Sequence, residues 1–520
     1  MKTFVQNHRR DVIGVLNGFD RLVLRGTIRQ LAHVEGMTSY LAARGILLKD
    51  FGAHCLQMSE LMKNGLMGAV KQLGRPVEYL QSSTVRKEDV ARELALRDGI
   101  GTGSIALLTC VEPCRSYEVY RNREKRRLEL RLRGRKCLFL YHYFSDPMFG
   151  FMHARIQTWF PFSIQVCLNG REWLARQMER AGMNFRRRDN CFVWLEDVER
   201  AQRLMDRQLR VNWPRLLDRI ACAMNPAQRE MFGPFRTPYY WSVYQSEWAS
   251  DVMFHDPAAL TRIYPRLVLH GMRSFSSPDV LRFLGRKVPL SGPAHHSFKG
   301  QIVSDLKQRA EGVRIKHRVN GNSIKLYDKQ GSVLRIETTI NQPREFKVFR
   351  PKEGDARGPL AWRPLRQGVA DLHRRARVSQ AANTRYAQAL AAADCATPLG
   401  EQIERLTRHT ALNGQRVRGL RPWGDDLTLL QAVNRGEFAI NGVRNRDLRA
   451  LLCEPAPSQA ERRKQSARIC RKLRLLRAHG VLGKVPHTHR YQLTASGRRI
   501  VTALLAAHAA STRELTRLAA

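Results

Sequence analysis

Residues 313–341 leave the chain the least conformational freedom. Val313–Val319 and Ser323–Lys329 alternate apolar with polar side chains, and Asn320-Gly321 stands between them. Asn-Gly supplies two consecutive positive-φ positions, which a tight hairpin turn needs if its twist is to match its strands. A three-residue loop, Gln330–Ser332, then leads into Val333–Ile340. That loop length sets Leu326 opposite Ile336 and Ile324 opposite Thr338. On the other face it sets Lys325 against Glu337 and Tyr327 against Arg335. Apolar meets apolar and opposite charges meet, whereas a slip of one residue mixes the faces. An antiparallel sheet is therefore expected at the centre of the chain.

More strands are expected at Leu22–Ile28, Ser104–Cys110, Leu128–Leu132, Cys137–Phe144, Phe149–Trp159 and Phe162–Leu168, all β-branched or aromatic and bounded by Gly, Pro or Asp. Helical spacing marks Ser59–Leu73, Glu88–Leu96, Arg171–Ala181, Leu195–Leu209 and Trp213–Met224. Ser277-Pro278-Asp279 reads as a capped helix start, and a long helix is expected from Gln367 to Ala393. The glycines of Gly99–Gly103 follow a helix and open a strand, the reverse of a dinucleotide loop, so they read as a helix stop and turn. The expected fold class is α+β: a mixed body with an antiparallel β-sheet and helices, followed by a C-terminal winged helix-turn-helix domain. The boundaries read as an N-terminal α+β domain 1–225, a central domain 226–350, a linker and long helix 351–415, and a DNA-binding domain 416–520.

Charge narrows the partners. The 520 residues carry 89 Lys and Arg against 46 Asp and Glu, a net +43. So large an excess suggests a polyanion, DNA or structured RNA. No apolar run approaches the roughly 18 residues of a membrane helix, and the polar start Met1–Val12 is unlike a signal peptide. The ten cysteines, among them Cys395, are scattered and read as reduced thiols in a cytoplasmic protein. Cys110 and Cys114 have no second ligand pair for zinc.

The last hundred residues carry the clearest functional pattern. A helix Asp425–Val433, a short strand Phe438–Ile440, a helix Asn445–Leu452 and a basic helix Glu461–His479 are expected. Strands Val481–Val485 and Arg490–Leu493 follow around a turn, and then a final helix after Thr494. This order, with Leu475–Leu482 and Tyr491–Arg498, resembles the winged helix-turn-helix of MarR-type regulators. The resemblance implies that the basic helix enters the major groove and that the wing reaches backbone or minor groove. Ile469, Leu473 and Leu476 form its apolar stripe, leaving Arg468, Arg471, Lys472, Arg474 and Arg477 for phosphate and base edges, with His489 and Arg490 at the wing. Residues 416–520 hold 21 Lys and Arg against seven Asp and Glu. Arg126, Arg127, Arg186 and Arg187, in basic loops of the body, are further expected nucleic-acid contacts.

Tyr327-Asp328-Lys329 with Leu334–Glu337 resembles a hairpin of rolling-circle plasmid replication initiators. That family attacks the phosphodiester with a tyrosine just after the Glu strand. The matching stretch here, Pro343–Phe349, has none, and His487-Thr-His489 sits in the wing rather than in a metal-binding strand. With Gly18–Leu22 and Gly170–Ala175, the whole chain also resembles large multicopy bacterial proteins of mobile elements.

Metal-dependent nucleases and transposases gather carboxylates on Mg²⁺. Asp20 beside the first strand, Asp251 beside the aromatic cluster Tyr239–Trp248, and Glu337 inside a strand are the candidate catalytic set. Asp20 and Glu337 are the expected metal ligands, with Mg as the cofactor. The bland alternative for Glu337 is a surface ion pair with Lys325. His295-His296 reads as a loop. The aromatic cluster, near Arg236 and Arg262, reads as core rather than as a base-stacking surface. Three functions remain open: a DNA-processing enzyme of a mobile element, a non-catalytic ribonucleoprotein component, and a transcriptional regulator.

Overall fold

A computed structural model describes residues 1–233, 235, 237–286, 300–309, 312–355, 357–391, 399–486 and 488–517. Arg236, His295, His296, Cys395, His487 and the expected helix end at Ala393 lie outside the described residues.

In chain order the body strands are β1 (Val12–Ile28), β2 (Val77–Tyr79), β3 (Gly103–Asn122), β4 (Arg127–Asp146), β5 (Gly150–Gln157), β6 (Ile164–Asn169), β7 (Phe185–Arg188), β8 (Cys191–Leu195), β9 (Tyr239–Phe254), β10 (Ile302–Arg309), β11 (Gly312–Val319), β12 (Asn322–Lys329), β13 (Val333–Ile340), β14 (Lys347–Arg350) and β15 (Ala361–Pro364). Eleven of them form one sheet, ordered β10-β11-β12-β13-β9-β1-β6-β5-β4-β3-β2. β2 runs parallel to β3, while β3 to β6, β1 with β6, and β10 to β12 pair antiparallel. The chain divides into two compact units, Met1–Val15 with Ser250–Thr338 and Val378–Ala520, and Leu16–Ala249 with Thr339–Arg377.

In the first unit the Asn-Gly turn closes β11 on β12 as expected, with Val319 opposite Asn322 and Ile315 opposite Leu326. Asn320 has φ 51°, the left-handed conformation that Asn tolerates. The helix Leu372–Leu390 is held to the strands beneath it by Asn383, whose Nδ2 donates to Ser250 Oγ (3.1 Å) and Ile336 O (3.0 Å), while Thr338 Oγ1 donates to Asn383 Oδ1 (2.6 Å). A fully buried amide needs such partners.

In the second unit β3 and β4 are far longer than their apolar stretches suggest, and the expected strands Leu128–Leu132 and Cys137–Phe144 are one. The charges that break the pattern lie on one exposed side of the ribbon: Arg131, Arg133 and Arg135 all bond to Glu118 across the strands. Arg186–Arg188 is not a loop between helices. It is β7, paired with β8, and the helix expected from Leu195 begins at Val198.

The C-terminal segment of the first unit contains helices Leu427–Val433, Gly436–Asn441, Asn445–Leu452, Gln459–Ala478 and Ala495–Ala509, with β16 (Thr410–Leu412), β17 (Gln415–Val417), β18 (Leu482–Lys484) and β19 (Tyr491–Leu493). The expected strand Phe438–Ile440 is helical. The extended pairing comes three residues later, where Val443 bridges Tyr491, because Phe438 is drawn into the core with Leu429, Leu448, Ile469, Leu473 and Leu476. Ser458 caps the basic helix by accepting from Glu461 N, and Gly480 follows its end at φ +67°.

Candidate functional site

β1 begins ten residues earlier than its most apolar part, so Asp20 lies inside the strand rather than beside it. Alternation fixes its direction. Phe19 is buried and packs edge-on against Trp248 of β9, with ring centroids 4.9 Å apart. Asp20 and Glu247, the neighbours of those two aromatics, therefore share the opposite face. On β13, Ile336 and Thr338 meet the helix at Asn383, and Glu337 faces away from it. The acids stand on β1, β9 and β13, three consecutive strands of the sheet order. One carboxylate oxygen from each of Asp20, Glu247 and Glu337 lies within 4.8 Å of the others.

The backbone near Asp20 is tightly determined. A Cβ at Gly170 would lie 2.0 Å from Phe19 O, so only glycine lets the helix Gly170–Arg180 start against β1. The segments Gly18–Leu22 and Gly170–Ala175, noted apart in the sequence, thus meet beside the first acid.

The carboxylates have defined partners. Asn190 Nδ2 donates to both oxygens of Asp20, at 2.9 and 3.1 Å. Gln245 Nε2 donates to Glu247 Oε1 at 3.2 Å. Lys325 Nζ lies 2.5 Å from Glu337 Oε1, and Tyr327 Oη donates to Glu337 Oε2 at 2.7 Å. Burial pushes the Glu337 carboxyl up, but Lys325, Tyr327 and Arg335 together hold it below the usual carboxylate range. The Lys325 pairing follows the sequence register. It is buried rather than superficial, with the Glu337 side chain 2% exposed. Tyr327, expected on the same face as Lys325, also bonds Glu337.

Arg335 has a stronger partner. Its Nε and Nη2 reach the two oxygens of Asp251 at 2.6 and 2.9 Å, both side chains essentially unexposed. This bidentate pair occupies Asp251. The structure therefore brings together two of the three expected acids, Asp20 and Glu337, and supplies Glu247 in place of Asp251. The burial alternation of β9 changes phase between Tyr244 and Gln245. A strict two-residue count along Tyr239–Phe254 therefore misassigns Glu247. Glu247 itself stands between Ser246 and Trp248, both buried.

The basic residues are distributed as follows. On the helix Gln459–Ala478, Arg468, Arg471 and Arg474 are exposed, and Lys472 and Arg477 are half-buried. Arg474 also bonds Gln415, and Arg477 lies over the Tyr491 ring. His489 is exposed and Arg490 half-buried near β19. Arg126 and Arg127 sit at the β3–β4 turn, with Arg127 Nε donating to Glu129. Arg186 is exposed over Trp194, and Arg187 bonds Glu172. Among the described residues no helix is long and apolar enough to cross a membrane.

No known protein family, curated protein or solved structure matches the chain.

Three oxygens at this spacing suit a hard divalent cation. Ligands around Mg²⁺ at about 2.1 Å stand roughly 3–4 Å apart, and Ca²⁺ allows somewhat more. Lys325 occupies one edge of the cluster and would have to yield or share Glu337 when a cation entered.

Proposed function

We propose that the protein binds nucleic acid and acts on its phosphodiester backbone with a divalent metal, Mg²⁺ in the first instance, held by Asp20, Glu247 and Glu337. The carrying observation is the convergence of three acids, two of them buried, in a chain of net charge +43. In so basic a protein, acids gathered inside a sheet are costly unless a cation balances them. The metal would polarise a phosphate and lower the pKa of a bound water. Asn190 and Tyr327 would orient Asp20 and Glu337, and Lys325 stands close enough to neutralise a phosphate oxygen.

The C-terminal segment is read as a winged helix that docks on duplex DNA through Arg468, Arg471 and Arg474, with His489 and Arg490 at the wing. Its order of helices and paired strands supports this, as does the apolar stripe Ile469, Leu473 and Leu476, buried as the pattern required. The resemblance to mobile-element proteins makes nicking, strand transfer and replication initiation the reactions to assay. Labelled DNA should be cleaved or joined only with Mg²⁺ or Mn²⁺. Asp20→Asn, Glu247→Gln and Glu337→Gln should each lower the rate by about 100-fold or more. Wild-type rates in all three variants would remove the cluster from the chemistry.

One observation favours a second reading. Lys325 and Tyr327 already satisfy Glu337, as in a purely structural cluster. The body would then hold a structured RNA without catalysis. A discrete RNA recovered from the purified protein, with no metal binding by calorimetry, would select that reading.

A further inference from the structure

β14 and β15 form a two-stranded ribbon outside the large sheet. Phe349 stands directly opposite Trp362, with ring centroids 5.7 Å apart. Both rings face solvent: Phe349 is 53% exposed and Trp362 is 68% exposed. The alternation of the strand leaves no doubt which side is the inner one. Val348 and Arg350 are buried, as are Phe346 and Leu365 at the ribbon's base. Leu365 N donates to Phe346 O at 2.8 Å, and Arg350 bonds Pro364 O through Nε and Nη2. The ribbon is thus closed and anchored, and the aromatic pair is held outward on a fixed backbone.

An exposed aromatic is ordinary when single. Two opposed rings on an anchored ribbon form a platform. Its surroundings are basic: Pro343–Arg366 holds seven Lys and Arg against three acids. Arg344, Lys347, Lys352 and Arg357 are exposed, and none makes an ion pair among the described residues. Lys347 shares the outer face with Phe349, two residues along the strand. Glu353 and Asp355 are exposed in the same loop and give the patch some opposite charge.

We infer that this ribbon is a stacking platform for an unpaired stretch of nucleic acid, with bases on Phe349 and Trp362 and phosphates on Lys347 and its neighbouring cations. Every base offers a π-face, and flanking cations track the backbone, so such a surface binds single strands with little sequence preference. A duplex hides those faces within its own stack. The inference rests on the nucleic-acid reading above and adds to it the form of the substrate: a strand already open, or opened during the reaction.

The test compares binding of a fluorescein-labelled oligo-dT with binding of a labelled duplex by anisotropy, using the full chain. Phe349→Ala/Trp362→Ala should weaken oligo-dT binding on the order of 10- to 100-fold and leave duplex binding unchanged. Trp362→Phe should retain most of the affinity, because a ring remains. Circular dichroism checks the fold; both positions are exposed, so it should persist. Undiminished oligo-dT binding in the double variant, with duplex still bound, would overturn the platform alone. Equal losses on both ligands would also overturn it. Absence of binding to either ligand by the wild-type protein would overturn the nucleic-acid reading and the platform with it. Loss of self-association in the double variant, with oligo-dT affinity unchanged, would assign the rings to a second copy of the chain instead.

Discussion

Lys325 is the residue on which the two readings of the acidic cluster divide. It is the close cation of Glu337, and its side chain is only 16% exposed. Removing one partner of a buried pair leaves the other charge uncompensated, at about 3–5 kcal/mol. Lys325→Met should therefore lower the unfolding free energy of the metal-free protein, read from urea titration, by about 3 kcal/mol given the residual exposure. If the cluster binds metal, the same variant should bind Mn²⁺ more tightly than wild type, because a competing positive charge is gone, and the added metal should restore much of the stability. Unchanged affinity by calorimetry would make the lysine a bystander to metal binding. At this scale the sequence was legible in part. Glu337 and Lys325 were paired by hairpin register, and Asp20 stood out as an acid beside an apolar run. Glu247 was hidden by the phase change in β9. Asp251 misled because a strand acid looks the same whether it awaits a metal or grips an arginine such as Arg335.

At the scale of elements, β11 is tied to the helix Leu372–Leu390 by a buried histidine. Ser304 Oγ lies 2.7 Å from His317 Nδ1, and Tyr386 Oη lies 3.1 Å from Nε2. Burial pushes His317 down to about 4 from an ordinary 6.5, against a smaller opposing pull from Asp305. Between those values the unfolded chain binds a proton and the folded one does not. The contribution is therefore fully present above about pH 6.5 and is lost as pH falls towards 4, at most about 3 kcal/mol for this group. His142 and His153, also pushed down by burial, to about 4 and about 3, act in the same direction. Urea midpoints should fall between about pH 7 and pH 5, and His317→Gln should flatten that slope by roughly one proton's share. A slope identical to wild type would show that His317 titrates normally. Elements with local signals were readable: the Asn-Gly hairpin and the helix Trp213–Met224 stand where the pattern put them, and the helix expected at Ser277-Pro278-Asp279 starts at Ser277 with Ser276, one residue earlier, as its cap. Elements stabilised by distant partners were not. β3 and β4 continue through a run of charges because Glu118 pairs with three arginines across the ribbon, and β15 stood in the stretch from residue 351 that reads as linker because its prolines, glycines and charges outnumber its apolar residues.

At the scale of the whole chain, charge is the property most directly legible, while chain order is a poor guide to compactness. Met1–Val15 belongs to the same unit as Ser250–Thr338, an association no local pattern announces. A net +43 predicts binding dominated by counterion release, so the logarithm of duplex affinity should fall linearly with the logarithm of salt concentration. That slope measures how many phosphates are neutralised, and it can be apportioned. Arg471 and Arg474 lie on the exposed side of the basic helix, whose opposite side is fixed in the core by Ile469, Leu473 and Leu476. Reversing both charges cannot unpack that core. Arg471→Glu/Arg474→Glu should weaken duplex binding by at least about 100-fold near physiological salt and reduce the slope by about two. Arg126→Glu/Arg127→Glu, at the β3–β4 turn, is the internal comparison. If the body rather than the C-terminal segment carries the duplex, this second pair will move the slope and the first will not. An unchanged slope in the first variant would refute docking through the basic helix, whatever the total charge of the chain.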